Sequence, residues 1–254
     1  MTTEAYLKTS KEAGITTIEF FHPAQNSLPS DMLANIAQAV EQSGTDVDTK
    51  VVVLKSGGDR TFCAGASFTE LLTIEDAAQG EAFFSGFANI INAIRLCPKF
   101  VIVRVQGKAV GGGVGLAAAA DYCMATEHAA IKLSELAIGI GPFVIGPVVE
   151  RKLGLSRMSQ LAMDAESFYD AKWSMDKGLY NNVFEDTASL DSAVDSLAQR
   201  LAAYNPDAMK ELKRVFWQGT DHWPTLLAER ARLSGRLILS EFTREKLAKY
   251  SKPS

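Results

Sequence analysis

Two runs of consecutive apolar residues constrain the fold of this chain more than any other feature: VVVL at 51–54 and FVIV at 100–103. A strand with one wet face alternates apolar and polar residues, so an unbroken run predicts a strand covered on both faces. Each run is closed by glycine, in SGG at 56–58 and in QG at 106–107. Between them, residues 81–95 carry Phe and Ile at helical spacing, so a helix returns the chain for a second parallel strand. A third cycle follows GGGVGLAAAAD, with YCMAT at 122–126 as its strand.

The flanking segments extend this pattern. Residues 5–21 alternate around a glycine-containing turn, as two paired strands would. LANIAQAVEQS at 33–43 has helical periodicity, with Ser30 or Asp31 as its predicted N-cap. From about Ser189 onward the pattern is helical throughout, and no Ser/Gly linker separates this part from the rest. The expected class is α/β, with residues 1–188 as the core and 189–254 as a helical C-terminal region.

Composition narrows the function. The chain has 254 residues, 47% of them hydrophobic, and a net charge of −4. An acidic balance gives no support to a nucleic-acid partner, which needs a basic face. Cys63, Cys97 and Cys123 are an odd set without paired short spacing, so neither a metal site nor a disulfide framework is expected. The N-terminal residues lack a charged-then-apolar signal pattern, and no apolar run reaches the roughly 20 residues of a membrane span. The expected location is cytoplasmic.

Two loops of small residues carry the chemistry. Gly111, Gly112 and Gly113 lie between a buried strand and the helix-forming VGLAAAAD. Such a cluster lets backbone N–H groups approach a ligand, and the helix N-terminus favours a developing anion. The same glycines could serve only tight strand-to-helix packing. GGGVG has neither dinucleotide-fingerprint spacing nor the Lys-Ser/Thr of a P-loop. The second loop, TFCAGASF at 61–68, holds Ala64, Gly65 and Ala66 after the first buried strand. Two such loops converging on one atom would make an oxyanion hole.

In order and spacing, HPAQNSLPSDM, VVVLKSGGDRTFCAGASFTEL, VRVQGKAVGGGVGLAAAADYCMAT and IKLSELAIGIGP resemble the enoyl-CoA hydratase/isomerase (crotonase) superfamily over nearly the whole chain. The resemblance implies a crotonase-like spiral of ββα units with a helical C-terminal trimerisation region, assembled as homotrimers or hexamers. It implies acyl-CoA thioester substrates and no cofactor, coenzyme A being part of the substrate. It places the oxyanion hole at the N–H groups of Ala66 and Gly112, with Gly111 beside them. Ala24 and Ala64 would follow the coenzyme A groove. Tyr250 would approach the coenzyme A of its own or a neighbouring subunit. Gly139 to Pro147 and the helix near Glu81 to Phe87 would shape the acyl pocket.

Hydratases of this family use two glutamates. The first falls at Gly115 and is absent; the second falls at Glu135 and is present. The glycine of the hydratase PGAGG motif corresponds to Phe143. Moving a double bond from C3 to C2 needs one group that takes a proton from C2 and returns it to C4, whereas adding water calls for a second. Gly115, Glu135 and Pro142-Phe143 therefore resemble the single-glutamate enoyl-CoA isomerases. The alternatives are hydration, including that of methylglutaconyl-CoA with Glu70 as a second carboxylate, and a non-catalytic CoA- or RNA-binding homologue. Glu70 could equally be a solvated helical residue. His22, His128 and His222 are expected to be structural or surface residues, and Arg244, Lys246 and Lys249 to form a solvated helix face.

Overall fold

The structure, a computed structural model, describes residues 4–250, with Tyr250 described by its backbone alone. The chain opens with the antiparallel pair β1 (Tyr6–Glu12) and β2 (Ile15–Phe21), then β3 (Ser27–Leu28) and α1 (Ser30–Thr45). The first cycle comprises β4 (Val51–Ser56), β5 (Thr61–Cys63), β6 (Gly65–Ala66), α2 (Phe68–Leu71) and α3 (Ala77–Leu96). The second comprises β7 (Phe100–Val105), β8 (Lys108–Val110) and α4 (Gly112–Ala119). Next come β9 (Tyr122–Thr126), β10 (Ile131–Lys132), a 3-10 turn at Leu136–Ile138, α5 (Gly146–Leu153), α6 (Leu155–Met163), α7 (Ala171–Asp176) and β11 (Asn182–Phe184). Four helices close the chain: α8 (Thr187–Ala202), α9 (Pro206–Phe216), α10 (Trp223–Leu237) and α11 (Glu241–Tyr250).

The main sheet has six strands in the order β1-β2-β4-β7-β9-β11, parallel from β2 onward. Its centre explains the unbroken apolar runs. Val52, Leu54, Val101, Val103 and Val105 face the large core shared with α1, α3 and α4. Val51, Val53 and Ile102 face the other way, onto Leu190, Val194 and Ala198 of α8. Arg104 is on that second face and forms a fork with Asp191 of α8, at 2.7 and 3.2 Å.

The short strands were not legible in advance. β5, β8 and β10 form a second, three-stranded sheet, and β3 pairs with β6. Each repeat is therefore a long strand, a short strand and a helix, so the glycine loop follows β8 and not β7 directly. These short strands carry the two small-residue loops out of the main sheet and side by side.

The predicted cap of α1 is corrected. Pro29 is the N-cap and makes no side-chain cap bond, and Ser30 is already helical. The cap comes from elsewhere: Glu70 accepts hydrogen bonds from the Ser30 N–H at 3.0 Å and from its hydroxyl at 2.6 Å. A carboxylate at a helix N-terminus satisfies a free N–H and complements the dipole.

The helical C-terminal part packs back on the core. α10 lies along α3 at a glycine contact, where a β-carbon on Gly80 would lie 2.6 Å from the Gly235 Cα. α11 is held by Leu247, which is buried with Leu71, Phe83, Ile140 and Ile238. Thr243 donates to the Gly139 carbonyl at 3.2 Å. Cys63, Cys97 and Cys123 are free and buried. No helix among the described residues is long and apolar enough to cross a membrane.

Candidate active site

The two small-residue loops meet. A β-carbon on Gly65 would lie 3.3 Å from the Val110 carbonyl and 3.7 Å from the Gly112 nitrogen, so glycine at 65 allows the contact. Gly111 has φ +53°, a left-handed conformation that favours glycine, and it turns β8 into α4. Gly112 is the first helical residue, where the N–H has no acceptor within its own helix. Packing also demands these glycines. A β-carbon on Gly112 would meet the Phe87 ring at 2.3 Å, and one on Gly113 the Cys63 carbonyl at 2.4 Å. Both readings of the glycine cluster therefore hold at once.

A cavity of about 310 Å³ opens beside this junction. Ala64, Ala66, Gly111, Gly112, Glu135 and Phe143 line it together, so the structure brings together most of the residues singled out from sequence. Most of the remaining wall is apolar, with Phe68, Leu71, Phe83, Phe84, Phe87, Ile138, Ile140 and Val144. Ala24 does not line it: it lies exposed in the turn before β3. That turn is joined to the loop of Ala64, whose N–H donates to the Asn26 carbonyl at 3.1 Å. The Tyr250 side chain lies outside the described residues.

Glu135 is the one ionisable side chain among the described residues lining the cavity. It precedes the 3-10 turn, and its own carbonyl accepts from Ile138 and Ile140 at 3.3 and 3.0 Å. Gly139, at φ +89°, closes that turn. The carboxylate rests over Gly111: a β-carbon there would lie 3.0 Å from Oε1. Its Oε2 is buried and makes no hydrogen bond. The residue as a whole is half-buried, so the accessible part is not this oxygen. Burial pushes its pKa up to about 7, opposed by a hydrogen bond from its own backbone N–H. A carboxyl titrating near neutrality in an apolar cleft, with one oxygen free of partners, is suited to taking and returning a proton.

The position expected to lack a carboxylate is closed. A β-carbon on Gly115 would lie 2.5 Å from Cγ2 of Ile145 and 2.9 Å from its Cβ. Glu70, engaged at the N-terminus of α1, does not line the cavity, and neither do His22, His128 and His222. Arg244 and Lys249 are exposed and Lys246 half-buried on α11, as a solvated face requires. Among the described residues no group of three His, Cys, Asp or Glu side chains is placed to hold a metal ion.

The model of the enoyl-CoA hydratase/isomerase family matches residues 10–251. The chain belongs to this family. A short-chain-enoyl-CoA hydratase of Clostridium acetobutylicum is 27% identical to this family member over 211 residues, covering 82% of this chain and 80% of its own. A trans-2-decenoyl-[acyl-carrier-protein] isomerase of Streptococcus mutans is 24% identical over 213 residues, covering 82% and 80%. The crystal structure of an enoyl-CoA hydratase from Bacillus halodurans superposes with a TM-score of 0.89 at 17% identity, covering 96% and 99%, which establishes the crotonase fold.

One lining residue, Ser234, and one contact, that of Ile145 with Gly115, were not found from sequence. Ile145 lies in the segment 139–147 expected to shape the acyl pocket and does line the cavity, but nothing in the sequence pointed to its filling the space beside Gly115. Ser234 of α10 is 1% exposed and lines the cavity. Its signal was the pair Ser234-Gly235 inside a helix, since an interior glycine often marks a close approach.

Proposed function

We propose that this family member isomerises enoyl-CoA thioesters by a single-carboxylate mechanism, moving a double bond from C3 to C2. The thioester oxygen takes two hydrogen bonds, from the N–H groups of Ala66 and Gly112. The Glu135 carboxylate removes a proton from C2; the electrons pass into a dienolate held by those donors. The protonated carboxyl then returns the proton to C4, and the dienolate collapses to the conjugated thioester. Each backbone donor of this kind contributes on the order of 3 kcal/mol to transition-state stabilisation. Coenzyme A arrives with the substrate and no other cofactor takes part. Ala24 and Ala64 follow its groove, Tyr250 approaches the coenzyme A of its own or a neighbouring subunit, and the helical C-terminal region belongs to the trimer or hexamer interface.

The observation that carries this reading is the Gly115–Ile145 contact. It leaves Glu135 as the one ionisable group lining the cavity among the described residues. Holding and activating a water for addition calls for a second group, and the space beside Gly115 is taken by Ile145. The apolar wall, without a cation among the described residues, also favours an uncharged acyl group over a methylglutaconyl one. The name of the Clostridium relative supports hydration as the second reading.

The test is a spectroscopic assay of 3-enoyl-, 2-enoyl- and methylglutaconyl-CoA side by side, on wild type and Glu135→Gln. The proposal expects turnover of the 3-enoyl thioester, lost in Glu135→Gln while coenzyme A binding persists. Hydration of the 2-enoyl thioester as the faster reaction would overturn it.

A further inference from the structure

Proton removal by Glu135 leaves negative charge on the thioester oxygen, so the Ala66 N–H has to stay aimed at that atom. One polar side chain in the cavity wall bears on this donor. Ser27 of β3 is half-buried and lines the cavity, and its hydroxyl donates to the Ala66 carbonyl at 3.0 Å. The same peptide unit is held from its other end, where the Ser67 N–H donates to the Leu28 carbonyl at 2.8 Å. Two consecutive residues of β3 therefore grip the peptide that follows the donor.

The local backbone gives that grip a purpose. β6 is two residues long, so no extended ladder steadies Ala66. Pro29, next after Leu28, has no N–H with which to prolong the pairing. Gly65, at φ +94°, precedes Ala66 and has no side chain to restrict rotation of the peptide between them. The Ser67 hydroxyl is engaged elsewhere, accepting from the Glu70 N–H at 3.3 Å as the cap of α2. The other donor stands differently. Gly112 belongs to α4 and is packed under the Phe87 ring, with Gly113 against the Cys63 carbonyl. Of the two donors, the one on the short strand depends on a side-chain hydrogen bond.

We infer that Ser27 is a positioning residue of the oxyanion hole: its hydroxyl, through the Ala66 carbonyl, holds the Ala66 N–H on line with the thioester oxygen. This rests on the acyl-CoA reading above, in which Ala66 and Gly112 supply the two donors. Hydrogen bonds weaken steeply as they bend, so a donor allowed to swing loses part of its effect on the developing charge. Losing such a donor outright lowers kcat by about 100-fold to 1,000-fold, and misaligning it costs a fraction of that, about tenfold.

The experiment compares wild type, Ser27→Ala and Ser27→Thr by steady-state kinetics with a 3-enoyl thioester, and by infrared difference spectra of bound hexanoyl-CoA labelled with carbon-13 at its carbonyl. Two aligned donors draw the bound carbonyl stretch below its value in solution. In Ser27→Ala the stretch moves back toward the solution value and kcat falls about tenfold, while KM stays within about twofold. The pH dependence assigned to Glu135 is unmoved, and Ser27→Thr, which keeps the hydroxyl, recovers both stretch and kcat. A Ser27→Ala enzyme with unchanged kcat and stretch, whatever its melting temperature, would overturn the inference and leave the Glu135 mechanism standing. A rise in KM at unchanged kcat would also overturn it, making Ser27 a binding contact, as would a Ser27→Thr enzyme no better than Ser27→Ala. A wild-type stretch equal to that in solution would overturn the two-donor reading and this inference together.

Discussion

Cγ2 of Ile145 lies 2.5 Å from the point that a β-carbon on Gly115 would occupy. Both residues are fully buried or nearly so, and Gly115 sits inside α4 with core on every side. Restoring a glutamate at this position by mutation is therefore not a simple gain of a second catalytic group. Gly115→Ala should destabilise the fold by about 1–3 kcal/mol through overpacking. Gly115→Glu should be worse and should not create hydratase activity. The double variant Gly115→Ala/Ile145→Ala should recover part of the loss, a coupling read from denaturant melts of the two singles and the double. Additive effects would show that the two side chains do not compete for one space.

Glu135 makes a paired prediction about pH. Its pKa is raised from 4.5 to about 7 by burial in the folded protein. Between those values the folded state holds a proton that the unfolded state has released. Stability is therefore greatest below about pH 4.5 as far as this group is concerned, and falls as pH rises through 7. The loss is at most about 3 kcal/mol, from roughly 1.36 kcal/mol per pKa unit. Glu135→Gln should be more stable than wild type above pH 7, with the difference shrinking toward pH 5. Activity runs the opposite way: the base must be ionised, so kcat/KM for a 3-enoyl thioester should rise with an apparent pKa near 7. A flat profile across pH 6–8 would remove Glu135 from the proton transfer.

Glu70 separates structure from chemistry. Its carboxylate accepts from both the N–H and the hydroxyl of Ser30 and does not line the cavity. Glu70→Gln or Glu70→Ala should cost about 0.5–2 kcal/mol, the range for a lost helix cap, and should leave kcat for the 3-enoyl thioester within about twofold of wild type. A loss of two orders of magnitude in turnover at unchanged stability would return Glu70 to the site as a second carboxylate.

What could be read from the sequence follows from the range of the interactions involved. The central strands were legible because burial on both faces leaves an unbroken apolar run, as in Val51–Leu54 and Phe100–Val103. The spiral and the convergence of Ala66, Gly112 and Glu135 came from the order of blocks that resemble one family. β3, β6 and β10 were not legible, because two residues show no periodicity. The cap of α1 was missed because its acceptor, Glu70, comes from a different helix and not from within the first turn. The contact of Ile145 with Gly115, and Ser234 itself, were missed for a related reason. Their meaning lies in what stands opposite them, Gly115 in one case and an apolar cavity in the other.

The contact between α3 and α10 sets the spacing of two helices that line that cavity, through Phe83, Phe84 and Phe87 on one and Ser234 on the other. A β-carbon on Gly235 would lie 2.6 Å from the Glu81 nitrogen and 2.8 Å from the Gly80 carbonyl carbon, so backbone and not a flexible side chain would have to move. Alanine ordinarily favours a helix interior by about 1 kcal/mol over glycine. Here the separation of two packed helices should outweigh that gain, and Gly235→Ala should lower the melting temperature by several degrees, at about 2–4 °C per kcal/mol for a chain of this size. The exposed Arg232–Glu81 pair spans the same two helices at 3.1 Å, but Arg232→Ala should cost under about 1 kcal/mol, as surface pairs do. Displacing α10 also moves Ser234, so Gly235→Ala should shift acyl preference toward longer chains, measured as kcat/KM across a series of 3-enoyl thioesters. A destabilised Gly235→Ala with an unchanged chain-length profile would mean that α10 braces the fold without shaping the pocket.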